Sequence, residues 1–340
     1  MFANWKSAVY EYVYRRNRQE LEYDTESLAP FVRDDAHLRR LAARLKRLKA
    51  VNRSRGVVPV RSETGLKIGN VDSDGPRLTV DLILRRNVEY DLGSRRHGEE
   101  RIERERLELV RHGADWIIAR VEPEVPERQE PESSAEAAIV VPEHADIDEQ
   151  GVRTRPYLNQ QLFSRRPDAS PRAGTYDRRK AKQYADTWWN GANPEYVHMG
   201  VDCTNFVSQC LFAGGAPMNY TGKRESGWWY RGLVDKREQW SFSWSVAHSL
   251  QSYLTQSRTG LRAQAVSSPL ELTVGDVIQY DWEGDGRYSH SAIVTAEDAA
   301  GMPLVNAHTT DCRRRYWDYR DSYAWTPNTR YRFLRIVDHF

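Results

Sequence analysis

Apolar residues recur along the first fifty positions at helical spacing. Trp5, Ala8, Val9, Tyr12 and Val13 share one face, which predicts helices over residues 3–21 and 33–52. After Arg55-Gly56 the period shortens to that of strands. Residues 57–60, 65–68 and 78–84 read as three of them, with Asp74-Gly75-Pro76 as the turn between the last two. A long strand from about Ile102 to Val110 follows, and Gly113-Ala114-Asp115 turns it into Trp116-Ile117-Ile118-Ala119-Arg120-Val121. The pattern describes a helix packed on a curved, meandering antiparallel sheet. Arg and Glu alternate along it, which predicts solvated strand faces with no cluster of titratable groups.

The second half returns to helical spacing at Cys203, Phe206, Val207, Cys210 and Leu211, the i, i+3, i+4, i+7, i+8 pattern of one buried face. Asp202 stands at the N-cap position and Gly214-Gly215 supply the stop. Downstream, Gly275-Asp276 turns into a strand at residues 277–280, and a polar loop leads to a second strand with His290 at its start. Residues 303–309 read as a third, carrying Asn306 and His308. Three short strands in succession suit an antiparallel sheet facing the cysteine helix.

That arrangement carries the chemistry. A thiol at a helix N-terminus lies near the positive end of the helix dipole, which favours the thiolate and predicts a lowered Cys203 pKa. His290 is placed to take the thiol proton, and a polar group of the third strand to orient its ring. The backbone N–H of Cys203, with Asp202 as cap, is a candidate donor to an oxyanion.

Further residues extend the pattern. Tyr176-Asp177-Arg178, Tyr184-Ala185, Trp188-Trp189-Asn190 and Asn193-Pro194-Glu195-Tyr196 lead into Asp202-Cys203-Thr204-Asn205-Phe206-Val207-Ser208-Gln209. Gly275-Asp276, Ser289-His290-Ser291 and His308-Thr309 follow. Together these resemble the bacterial putative amidase domain family, part of the papain-like group that includes NlpC/P60 and CHAP peptidases. The resemblance covers residues 175–337. It implies an α+β fold of NlpC/P60 type and an amide-hydrolysing activity. The family order of Cys, His and a polar third residue falls on Cys203, His290 and His308. Asn306, two residues earlier and on the same strand face, is the alternative third residue. The resemblance also implies a peptide or amide substrate, cell-wall derived in the wider group, with no metal and no organic cofactor. The first half is similar in topology to NTF2-like or cystatin-like α+β domains, for which a noncatalytic, protein-binding or autoinhibitory role is expected.

Composition bounds the rest. The 340 residues exceed a usual single domain, and 39% hydrophobic with 29% charged residues is within the globular range. Prolines recur among Glu, Ser and Ala over residues 123–172, which predicts a mobile linker between a domain at 1–122 and another at 173–340 that folds alone. Its short apolar runs at 137–141 and 157–158 are candidates to dock on a domain. With 50 basic against 48 acidic residues, bulk charge selects no partner, and nucleic-acid binding gains no support. Three cysteines are too few for a disulfide framework or a zinc site. No apolar run follows Met1-Phe2-Ala3-Asn4-Trp5-Lys6, and none elsewhere has membrane-spanning length. Retention in the cytoplasm is therefore expected, with nonclassical export left open.

Three readings remain: a cysteine amidase or peptidase, a thiol acyltransferase using the same acyl intermediate, and a noncatalytic binding module on the same scaffold. Most of the tryptophans are expected in the core, with Trp228-Trp229-Tyr230 the candidate for a substrate rim.

Overall fold

The computed structural model describes residues 2–129, 174–234 and 237–340, and the chain forms two compact units of mixed α/β structure built on antiparallel strands. The first unit consists of Met1–Val125 with Asp298–Ala300 and Thr310–Trp325; the second holds Pro126–Glu297, Gly301–Thr309 and Thr326–Phe340. The units therefore depart from a linear division near residues 123–172. Two segments from the expected C-terminal domain belong to the first unit. From residue 130 to 173 the expected linker, including both short apolar runs, lies outside the described residues.

In the first unit, helix α1 (Trp5–Glu22) is capped by Asn4, whose side chain accepts the Lys6 N–H. Helix α2 (Asp35–Arg55) is capped by Asp34 and ends at Gly56, whose φ of 69° is open to glycine at little cost. The strands run longer than the hydrophobic pattern suggests: β1 (Val57–Asp74), β2 (Arg77–Leu92), β3 (Arg95–His112) and β4 (Asp115–Pro123). β1 absorbs two of the expected strands. It is an edge strand with register shifts after Pro59 and Ile68, so its polar middle looks like a turn in sequence while staying paired to β2. β3 pairs with β2 over Arg95–Val110. Its other edge is divided between β4, at Glu105–His112, and the strand Cys312–Tyr316, which meets Arg101 and Glu100.

Leu78, Val80, Leu82 and Leu84 alternate along β2 and pack with Leu107 and Leu109 of β3 against Val9, Tyr12, Leu41 and Leu45 of the helices. The same parity then turns ionic. Arg86 continues the Leu series, and Arg101, Glu103 and Glu105 precede Leu107 on one face of β3. The expectation of solvated faces without a titratable cluster is therefore wrong here. The side chains of Arg16, Arg44, Arg86, Arg101 and Arg315 are at most 3% exposed. Arg16 binds Glu105 at 2.5 Å, Arg44 binds Glu20 at 2.8 Å, and Arg315 binds Asp321 at 2.9 Å. Arg101 also pairs with Asp321, and Tyr12 donates to Glu105 at 2.7 Å. The buried Arg44 donates to the Asp321 carbonyl and the half-buried Arg47 to those of Arg320 and Ser322, so guanidinium groups hold Thr310–Trp325.

In the second unit the sheet order is Pro303–Ala307, His290–Glu297, Val277–Asp281, Arg330–Ile336 and Ala263–Val266, every neighbouring pair antiparallel. The first three are the strands expected from sequence. Val277, Ile293, Leu334 and Ile336 pack against Phe206, Val207, Cys210 and Leu211 of the cysteine helix, Cys203–Ala213. A helix at Arg178–Trp188 is capped by Asp177. Its neighbours in sequence lock the sheet. Arg178 donates to the buried Asp276 carboxylate at 2.7 Å and to the Val274 and Ile336 carbonyls, and the Tyr176 hydroxyl donates to the Gly275 carbonyl. The Tyr-Asp-Arg and Gly-Asp signatures are thus two halves of one joint.

The ionic face carries a pH dependence. Burial pushes the Asp318 carboxyl up to about 6 and the His37 ring down to about 4. Asp318 binds its proton more tightly folded than unfolded, so it adds stability as pH falls below 6. His37 binds its proton more weakly folded, so it subtracts stability between its ordinary 6.5 and about 4. The two oppose each other. Burial alone would raise Glu103, but Arg86, Arg101, Arg44 and Arg16 outweigh it and hold it at about 2, so its contribution is lost only in stronger acid. In Asp318→Asn one of the buried carboxyls that oppose the His37 loss is gone, and the urea midpoint is expected to fall from pH 6.5 to 4 more steeply than in the parent. Parallel profiles would refute this assignment.

Candidate active site

The cysteine helix is buried on every side over its first nine residues, not along one stripe as its apolar spacing suggests. Its polar residues can be buried because each meets a partner. The Thr204 hydroxyl lies 3.0 Å from that of Ser291. Asn205 donates to the Asp202 carboxylate at 2.8 Å and to the Val197 carbonyl at 2.9 Å, and accepts the Trp244 indole N–H at 2.8 Å. Ser208 accepts the Trp228 indole N–H, and Gln209 the Tyr184 hydroxyl. At the far end a Cβ on Gly214 would collide with the Tyr176 ring, so the stop is also a packing requirement.

Asp202 occupies the N-cap position, but its side chain makes no capping bond. The carboxylate turns instead to the Met199 N–H at 3.1 Å, to Asn205, and to His308 Nδ1 at 2.7 Å. His308 Nε2 stands 2.6 Å from the Trp188 carbonyl, which can only accept, so this nitrogen carries hydrogen. The ring also lies flat on Phe206, centroids 4.0 Å apart. Both His308 nitrogens are therefore engaged by Asp202 and Trp188. Asn306 is engaged elsewhere too: it accepts from Thr295 at 2.8 Å and donates to the Ala185 carbonyl and the Asp186 carboxylate.

Cys203 is the first residue of the helix and is 2% exposed. Its Sγ lies 4.0 Å from the Ser289 carbonyl oxygen. Together with the Thr204–Ser291 contact, this sets the helix start against residues on both sides of His290. His290 opens its strand, is fully buried, and stands beside its cross-strand partner Tyr280 and beside Trp282, with centroids 5.4 and 5.9 Å from its ring. The structure thus joins Cys203 to the backbone flanking His290, and His308 to Asp202. Sequence reasoning missed Thr309, whose Oγ1 accepts the N–H of Cys203 at 3.0 Å and that of Asp202 at 3.1 Å. A threonine directly after a motif histidine was its only signal.

Two expectations change. Trp228 and Tyr230 are fully buried and Trp229 nearly so, packed with Trp244 and Tyr196 behind the cysteine helix. They form core, not a substrate rim. The Cys203 thiol is raised rather than lowered, because burial outweighs the Ser291 amide and the Thr204 and Thr309 hydroxyls that favour its thiolate. The site holds a protonated thiol that needs a base. Cys210, deeper in the core, is raised well above its ordinary value. Alkylation of the folded protein by iodoacetamide should therefore have a midpoint above that of a free thiol at Cys203 and higher still at Cys210. Peptide mass spectrometry across pH reads both, and a Cys203 midpoint near neutrality would contradict the burial argument.

All three cysteines are free thiols, and no helix among the described residues is long and apolar enough to cross a membrane. The chain is similar to Uncharacterized protein YhbB of Bacillus subtilis (strain 168), 55% identical over 171 residues that cover 50% of this chain and 53% of that protein. It is also similar to Uncharacterized protein YjcM of the same organism, 30% identical over 141 residues, or 38% of this chain and 30% of that protein. The chain thus spans about half the length of the first relative and less than a third of the second. Among solved structures, the intermembrane space region of chloroplast protein ARC6 aligns at 17% identity over 35% of this chain and 92% of that one. Its TM-score of 0.27 carries no argument. Residues 175–334, which contain every side chain of the site, match the family model described as "Putative amidase domain".

Proposed function

We propose that this protein is a cysteine-dependent amide hydrolase, with Cys203 as nucleophile and His290 as the base. The observation that carries this reading is the thiol at the first residue of a buried helix, 4.0 Å from the carbonyl of the residue before His290, within the stretch that matches the amidase family. His290 removes the thiol proton as sulfur bonds to the carbonyl carbon, and the carbonyl electrons move to oxygen. The Cys203 N–H expected to face that negative charge, with Asp202 as its cap, is instead taken by Thr309 Oγ1 at 3.0 Å, so it is not a free oxyanion donor. Collapse expels the amine with the proton from His290, and water then cleaves the thioester. His308, held between Asp202 and Trp188, fixes the loop before the nucleophile in this reading, and the base is flanked by Tyr280 and Trp282.

The papain-like relationship to NlpC/P60 and CHAP enzymes belongs to the same proposal, as does a peptide amide of cell-wall type as substrate. The first unit, with its ionic core, is proposed as a noncatalytic partner-binding module.

A panel of peptides and muropeptides incubated with the full chain, with and without an added amine acceptor, tests the reading and separates transfer to water from transfer to amine. Cys203→Ala should abolish turnover, and His290→Ala should lower it by roughly 10²–10⁴. His308→Ala should lose stability and turnover together, because it removes the partner of one oxygen of the buried Asp202 carboxylate. Asn306→Ala should have a smaller effect on turnover. Undiminished hydrolysis by Cys203→Ala would end the proposal.

A further inference from the structure

Thr309 stands where a β-branched residue is costly. Its φ is 81°, in the left-handed region. Backbone strain of this kind persists only where the surroundings hold it, and it gathers at functional positions. Here the side chain shows what holds it. Thr309 Oγ1 accepts the main-chain N–H groups of both Asp202 and Cys203, at 3.1 and 3.0 Å. These are donors that a helix start leaves without an intrahelical partner, and Asp202 does not satisfy them because its carboxylate is committed to His308, Asn205 and Met199. The cap therefore comes from 106 residues further along the chain.

A hydroxyl has two acceptor lone pairs and one hydrogen. Both lone pairs of Thr309 are used by the two amides, which polarise the O–H and make it a stronger donor. We propose that Thr309 is a positioning residue for Cys203, gathering two N–H groups of the helix start onto one oxygen and presenting its own hydrogen to the sulfur. The inference rests on the reading of Cys203 as nucleophile. It adds the group that ties the thiol to the turn following His308. The Thr309 hydroxyl is also among the groups that favour the Cys203 thiolate against burial. A left-handed turn is what lets the residue after His308 point back at the helix start, so the strain and the hydroxyl belong to one device.

The test uses the full chain and reads the thiol directly. Iodoacetamide alkylation of Cys203 is followed across pH by peptide mass spectrometry, alongside urea unfolding, for Thr309→Ser, Thr309→Gly and Thr309→Val. Serine keeps the hydroxyl and should keep the midpoint of the pH profile. Glycine accepts the backbone angle without strain, so Thr309→Gly should fold at least as stably as Thr309→Val. Its midpoint should nonetheless move up by about one unit, which is about tenfold less thiolate at neutral pH. Valine should show the same upward shift with an added loss of stability, and if it does not fold, the glycine variant carries the test. Unshifted midpoints in the glycine variant would overturn the proposal and leave Thr309 as a cap alone. Hydrolysis surviving in Cys203→Ala would instead overturn the functional reading, an outcome the alkylation profile does not produce.

Discussion

The second unit depends on keeping a helix with polar residues inside a core. Cys203–Ala213 carries Thr204, Asn205, Ser208 and Gln209 with no face open to water at its start, and each unmatched group would cost about 1–3 kcal/mol. The surrounding residues are chosen by that constraint. Trp244 and Trp228 bring indole N–H donors, Tyr184 a phenol, Ser291 a hydroxyl, and His308 closes the set through Asp202. A thiol held in such a lattice has little freedom to move, which is the orientation a nucleophile requires.

The first unit meets a related constraint with charge. Its helices and strands continue their inward-facing parity from leucine into arginine and glutamate, so the core is apolar at one end and ionic at the other. Replacing such pairs with apolar residues is often neutral or stabilising, whereas removing one partner is costly. The presence of these pairs is therefore no measure of stability, whereas loss of a single partner is costly, and Arg315 and Asp321 of Thr310–Trp325 complete the pairing.

Much of this was legible in the sequence. The spacing of Cys203, Phe206, Val207, Cys210 and Leu211 marked the helix and its start, and the strands at 277–280 and 290–294 were readable from their apolar runs. Hydrogen-bonded burial was not. Hydropathy assigns Ser208 and Gln209 to the surface because it sees the side chain and not its partner. The same blindness hid the ionic face, since Arg101, Glu103 and Glu105 look solvated until their parity with Leu107 is known. It made Trp228-Trp229-Tyr230 look like a rim. Thr309 was marked only by its place after His308, for another reason: its contribution comes from a backbone angle, and no composition or period encodes one.

The strand Arg330–Ile336 lies between Val277–Asp281 and Ala263–Val266, inside its sheet although it follows both in sequence. The first unit likewise lacks a strand until Cys312–Tyr316 has been made. Chains generally fold from the N-terminus during synthesis, yet here the first unit waits for Cys312–Tyr316 and the second for Arg330–Ile336, each made after the strands it joins. The nascent chain therefore carries a thiol whose supporting sheet is still unfinished. Assembly of the site waits on Arg330–Ile336, and a chain released before that strand is made lacks part of the sheet that Cys203 rests on.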